Sequence, residues 1–153
     1  MNIREELLKQ ATVTMTIDVR FAETDAMGVV HHAAYIVWLE MGRVAWLQAA
    51  GVPYTEVAAS GHHFAVTGIH ANYRASSAFG DRLRLDTRLQ KLRSRQIEFG
   101  YELYHGVSGV LLITATSEHI CVDLTGRMAR LPAPFMTRLE AGIVQLARTA
   151  GEL

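Results

Sequence analysis

His31-His32-Ala33-Ala34-Tyr35-Ile36-Val37-Trp38-Leu39-Glu40-Met41-Gly42-Arg43-Val44-Ala45-Trp46-Leu47-Gln48-Ala49-Ala50 is the stretch that decides the fold. Tyr35, Trp38, Gly42, Ala45, Trp46 and Ala49 recur at helical spacing, and Gly51 with Pro53 ends the element. Ile36, Val37, Val44 and Leu47 fill the other side, so the predicted helix is apolar nearly all round. Such a helix must be enclosed by other structure. Glu40 and Arg43, three apart, are expected to pair with each other on its surface.

On the N-terminal side, Val13, Met15, Ile17, Val19 and Phe21 alternate with Thr14, Thr16, Asp18 and Arg20, the period of a half-buried strand. Glu23 to Gly28 reads as a polar loop. On the C-terminal side a short helical turn around Thr55 to Ala59 precedes four strand-like runs: His63 to Tyr73, Arg82 to Leu92, Arg95 to His105 and Val110 to Val122. Turn signals at Gly80-Asp81, Arg93-Ser94 and Gly106 to Gly109 make the connections short, which favours antiparallel neighbours. Pro132 and Pro134 open a final amphipathic helix, roughly Phe135 to Arg148. The order predicts an α+β fold, a five-stranded antiparallel sheet wrapped around one long central helix with an extra C-terminal helix. The 153 residues fit one domain, 1–153, with no linker or repeat. A sheet of this size leaves edges that a second copy would cover, so a homo-oligomer, dimer or tetramer, is expected.

Composition removes several classes. Fifteen basic and fifteen acidic residues balance, which gives no net pull toward nucleic acid or an anionic membrane. The lone Cys121 allows neither an intrachain disulfide nor a cysteine-based zinc site, and its apolar neighbours predict a buried, inert thiol. The N-terminus lacks the order of a signal peptide, and no apolar run reaches the length of a membrane span. The expected location is the cytoplasm.

Arg20-Phe21-Ala22-Glu23-Thr24-Asp25-Ala26-Met27-Gly28-Val29-Val30-His31-His32-Ala33-Ala34-Tyr35 sets a carboxylate just ahead of the long helix. The first turn of a helix has unpaired N–H groups and the positive end of the macrodipole. Those donors can polarise a carbonyl and stabilise an oxyanion, while the carboxylate activates water or attacks the carbonyl itself. Asp25 is therefore the candidate acid, and the first-turn N–H groups, those of His31 and His32, are the candidate oxyanion donors; the His32 side chain is either an orienting or catalytic residue or a plain first-turn polar residue. Asp before a helix also serves as a plain turn-former or cap. The other histidines carry little signal: adjacent His62 and His63 point to opposite faces of a strand, and no metal is expected.

Thr24-Asp25, Gly28-Val29-Val30, His32, Tyr35 and the later Glu40 with Arg43 resemble the signature of the 4-hydroxybenzoyl-CoA thioesterase family, in its bacterial acyl-CoA thioesterase branch. The resemblance runs from about Val13 to Pro132, with Tyr73 and Gly80-Asp81-Arg82-Leu83 as later anchors. It implies a hotdog fold and hydrolysis of an acyl-CoA thioester to free acid and coenzyme A, without a further cofactor. It also implies dimers that often pair into tetramers. Asp25 falls on the family's nucleophile or general base, and His32, seven residues on, on the position whose N–H holds the thioester carbonyl. A histidine there leans away from hydroxybenzoyl specificity. Ser76 departs from the pattern, where relatives commonly carry proline.

Lys91, Arg93 and Arg95 cluster at a predicted hairpin. Such a run is ordinarily a solvated turn, but guanidinium groups suit phosphate oxygens, and relatives use basic residues here to hold coenzyme A. An acyl-carrier-protein thioesterase and a non-catalytic acyl-CoA-binding module are the alternative readings, since fold alone does not settle function.

Overall fold

The computed structural model describes residues 3–151. The elements run α1 (Ile3–Gln10), β1 (Thr12–Asp18), a 3₁₀ turn (Phe21–Glu23), α2 (His32–Ala49), α3 (Tyr54–Ala59), β2 (His62–Tyr73), β3 (Arg82–Leu92), β4 (Gln96–His105), β5 (Leu111–Asp123) and α4 (Ala133–Gly151). The five strands form one antiparallel sheet in the order β1-β3-β4-β5-β2. The α+β expectation holds, and α2 packs on the inner face against β1, β3 and β4. Among the described residues no helix is long and apolar enough to cross a membrane.

Alternation explains the sheet. Leu83, Leu85, Thr87 and Leu89 of β3 all point inward and are buried, with Arg82, Arg84, Asp86 and Arg88 between them on the outer face. Trp38 and Trp46 carry the same core along α2. Trp46 meets Phe99 edge to face at 5.7 Å, and its indole N–H donates to the Ala11 carbonyl at 2.9 Å. Where α2 crosses β3 the residue is Gly42; a Cβ there would stand 2.5 Å from Thr87 Oγ1 and 2.8 Å from Leu85 Cδ2. Cys121 is fully buried at 0 % exposure, and burial raises its thiol pKa.

Three local features differ from the sequence reading. β1 stops at Asp18, and Phe21 turns out into solvent in the 3₁₀ turn although the alternation runs on to it. The segment before β1 forms α1, which packs on α4 and β3. The helix α2 is enclosed on one side only: Val37, Met41 and Val44, spaced at four and three, remain 52, 43 and 39 % exposed. The edge strand β2 shows a similar apolar surface through Val66, Ile69 and Tyr73.

Two core positions yield measurable consequences. Gly142 of α4 lies against the backbone carbonyl of Ala50, and a Cβ there would run into that carbonyl. Ala is favoured over Gly inside a helix by about 1 kcal/mol, but the clash is with rigid backbone. Gly142→Ala is therefore expected to lower stability by roughly 1–3 kcal/mol, the scale of overpacking, read from urea midpoints. The second position is His119, only 2 % exposed, with Nε2 2.7 Å from Ser117 Oγ, which is 2.6 Å from the Tyr101 hydroxyl. Burial first, and the charge of Arg43 second, lower its pKa from 6.5 to about 4. The unfolded chain thus binds a proton here before the folded one does. This contribution is complete above pH 6.5 and is lost as pH falls toward about 4. The upper part of that window lies above ordinary carboxylate titration. There, His119→Gln should flatten the dependence of the urea midpoint on pH.

Candidate active site

The loop before α2 is closed by its own backbone. Thr24 and Val30 form an antiparallel bridge, the Asp25 N–H donates to the Val29 carbonyl at 2.9 Å, and the Gly28 N–H returns to the Asp25 carbonyl at 3.0 Å. Gly28 sits at φ +80°, a left-handed conformation that a residue with a side chain resists.

Glu23 fastens this loop to the helix. It is 8 % exposed; Oε1 accepts the Arg20 backbone N–H at 2.8 Å, and Oε2 accepts the Trp38 indole N–H at 2.7 Å and the Arg20 Nη2 donor at 3.3 Å. Burial by itself would raise the carboxyl pKa. The hydrogen bonds from Arg20 and Trp38, with the Arg20 charge, outweigh it and hold the group ionised below its ordinary range. On the far side the Val30 N–H donates to the Ser77 carbonyl at 2.8 Å, while Ser77 Oγ lies 2.9 Å from the Tyr35 hydroxyl.

Asp25 is exposed, and its Oδ1 accepts the Met27 N–H at 2.8 Å in a tight turn. It is thus a turn-former, and its other carboxylate oxygen has no hydrogen-bond partner among the described residues. His31 caps α2: its Nδ1 accepts the Ala33 N–H at 3.1 Å, and its ring stacks on that of His32 at 4.2 Å. The expectation that the His31 N–H helps polarise a carbonyl is not met, because it already donates to the Glu23 carbonyl at 2.8 Å. The His32 N–H, at the first position of the helix, has no acceptor among the described residues. Its carbonyl accepts the Tyr73 hydroxyl at 3.1 Å. An open groove of about 280 Å³ runs beside it between Val30, His32, Tyr35, Tyr73 and the Arg74–Ser76 turn; Asp25 does not line it.

The basic cluster stands elsewhere. Lys91 and Arg93 line a second groove of about 280 Å³ with Thr67, Glu98 and Glu118, and Arg95 is exposed beside it. Lys91 pairs with Glu98 at 3.4 Å. The Asp25 loop is tied to the other end of β3, through the Val29–Ala78 bridge and the Val19 N–H to the Asp81 carbonyl. The eleven residues of β3 separate these ends by roughly 30 Å at about 3.3 Å per residue. Asp25 and His32 are therefore near neighbours in the chain, and Lys91, Arg93 and Arg95 are not brought to them within one copy.

Sequence reasoning missed Glu23, which it left as the first residue of a polar loop; its spacing of three from Arg20 was the available signal. It also missed the buried Tyr101–Ser117–His119 chain. Glu40 and Arg43 form no ion pair with each other among the described residues, contrary to the expected pairing. No group of three histidine, cysteine or acidic side chains among the described residues is placed to hold a metal ion.

Comparison with known proteins identifies the family. A model of the thioesterase-like superfamily matches residues 19–139. YneP of Bacillus subtilis (strain 168), a candidate acyl-CoA thioesterase, is 38 % identical over 107 residues, covering 70 % of this chain and 77 % of that protein. The crystal structure of the hypothetical protein TT1821 from Thermus thermophilus superposes with a TM-score of 0.78 at 41 % identity, over 83 % of this chain and 96 % of that one. A DHNA-CoA thioesterase from Staphylococcus aureus superposes with a TM-score of 0.81 at 28 % identity, over 93 % and 96 % of the two chains. The match to the superfamily across residues 19–139, the identity to YneP and the superposition on TT1821 show that the chain belongs to the thioesterase-like superfamily of hotdog-fold proteins.

Proposed function

We propose that this chain is a thioester hydrolase acting on acyl-coenzyme A, with the thioester carbonyl held at the start of α2 and Asp25 as the reacting carboxylate. The observation that carries the reading is the unengaged His32 N–H at the head of an 18-residue helix, which the loop bearing the Asp25 carboxylate leads into and Glu23 fixes in place. The relatives named as acyl-CoA and DHNA-CoA thioesterases support the reaction class. The carbonyl oxygen accepts the His32 N–H, and the helix dipole favours the negative charge that develops there. Asp25 then either takes a proton from water as the water oxygen bonds to the carbonyl carbon, or attacks that carbon to form an anhydride that water opens. In both routes the C–S bond breaks: in the first the proton taken from water passes from Asp25 to the leaving sulfur, and in the second coenzyme A leaves as the thiolate, takes a proton from solvent, and the water that opens the anhydride returns one to solvent.

The working unit we infer is a dimer built through β2. This edge exposes Val66, Ile69 and Tyr73, and α2 exposes Val37, Met41 and Val44. Covering both surfaces removes an open sheet edge and an apolar stripe together. Two-fold pairing of the same edge strand is antiparallel, so the His62 end of β2 meets the Tyr73 end of the partner strand. Tyr73 holds His32, whereas the His62 end lies on the side of the Lys91–Arg95 turn. The basic turn of one copy thereby approaches the reactive loop of the other, which gives Lys91, Arg93 and Arg95 a route to the coenzyme A phosphates.

Asp25→Asn is expected to remain folded by circular dichroism and to lose roughly 10²–10⁴-fold in turnover of an acyl-CoA; full turnover in that variant would refute the role. Replacing Arg93 and Arg95 together with alanine should raise KM for an acyl-CoA more than for the matching thioester of a short thiol without nucleotide. An equal change for both would remove the phosphate clamp from the mechanism.

A further inference from the structure

Between α2 and the inner face of the sheet lies a second cavity, of about 230 Å³, that does not include Asp25 or His32. Its apolar walls come from Val44 and Leu47 of α2, Phe64 of β2, and Ile97 and Phe99 of β4. A dry cavity of roughly 150 Å³ already admits a benzene ring, so this one has room for a ring or short chain with a substituent. Its polar members are Glu40, Arg43, Tyr54 and His119.

The polar side is incompletely matched. Arg43 Nη1 is buried with no hydrogen-bond partner, and Arg43 makes no ion pair among the described residues. Arg43 acts on Tyr101 through its charge and a side-chain hydrogen bond and on His119 through its charge, although burial is the larger influence on each. His119 is bonded through Nε2 to Ser117, which fixes its ring in the wall. Glu40 lines the same cavity from an exposed position one turn earlier on α2. A half-buried guanidinium without a counter-charge is costly, and the cost falls when a ligand supplies an anion to it. In the single copy Glu40 is exposed, and water screens it from Arg43.

We propose that this cavity is an acyl subsite for substrates whose far end carries a carboxylate, with Arg43 as the residue that selects it. The inference rests on the dimeric thioesterase reading above. Arg43 is eleven residues beyond His32, roughly 16 Å along the helix axis at 1.5 Å per residue, which is far for a short acyl group held at its own His32. Phe64 lies at the His62 end of β2, the end that faces the partner's Tyr73. Paired that way, the Phe64 end of the cavity stands nearest the other copy's helix start, and the acyl group would reach it across the interface.

The test compares ω-carboxyacyl-CoA with methyl-ended acyl-CoA of equal length, from short to long, in wild type, Arg43→Met and Glu40→Gln. Wild type is expected to prefer a carboxylate-ended substrate in kcat/KM. Arg43→Met should cut that preference roughly 10–100-fold, as for loss of a hydrogen bond to a charged group. Glu40→Gln, at an exposed position, should raise the preference and serves if Arg43→Met does not fold. A wild-type preference for methyl ends at every length, or a preference that neither substitution moves, would overturn the subsite. If wild type hydrolyses no thioester, the parent reading fails. The subsite is then judged by equilibrium binding of S-(ω-carboxyalkyl)-CoA against S-alkyl-CoA thioethers, where equal affinity would overturn it.

Discussion

A single buried carboxylate joins the two parts on which the proposed chemistry depends. Glu23 takes hydrogen bonds from the Arg20 backbone and side chain on the loop and from the Trp38 indole on the helix, so loop and helix cannot move independently without stripping partners from an ionised buried group. Its own carbonyl receives the His31 N–H, and the next amide along, that of His32, has no acceptor among the described residues. The negative charge of Glu23 is spent on Arg20 and Trp38; that of Asp25 stays on the solvent side. Two acids two residues apart are thereby given different work by their partners.

Most of the architecture could be read from periodicity. β3 alternates so regularly that inward and outward residues follow from the sequence alone, and the apolar breadth of α2 required a sheet against it. The failures have specific causes. Val19 is buried and Phe21 is not, because β1 ends at Asp18 and the chain turns away after the Val19 N–H bonds the Asp81 carbonyl, and an alternating pattern does not record where its hydrogen bonds stop. α1 is short and mostly polar, so its position comes from packing on α4 rather than from a strong period of its own. Glu40 and Arg43 have the spacing of an ion pair, but the guanidinium lies toward Tyr101 and His119, residues far away in the sequence. The chain from Tyr101 through Ser117 to His119 depends on how β4 registers against β5, which no local pattern encodes.

The candidate site was legible to the extent that it is local. Asp25, Gly28 and His32 fall within one loop and one helical turn, where spacing translates directly into position. The separation of Lys91, Arg93 and Arg95 from that loop was not legible, since it needs the direction of β3 and the strand to which each end is tied. The half-covered state of α2 escaped for the same reason. The sequence asks for enclosure without stating how much of it comes from the same chain.

The two ends of β3 carry different halves of the proposed machinery, the reacting loop at one and the cationic turn at the other. In a paired arrangement each functional unit is assembled from two gene products. Two alleles damaged at opposite ends would then restore one intact unit in a mixed assembly, while an allele damaged at the shared edge would spoil its healthy partner as well. Inheritance of defects in this protein would therefore follow the geometry of its sheet.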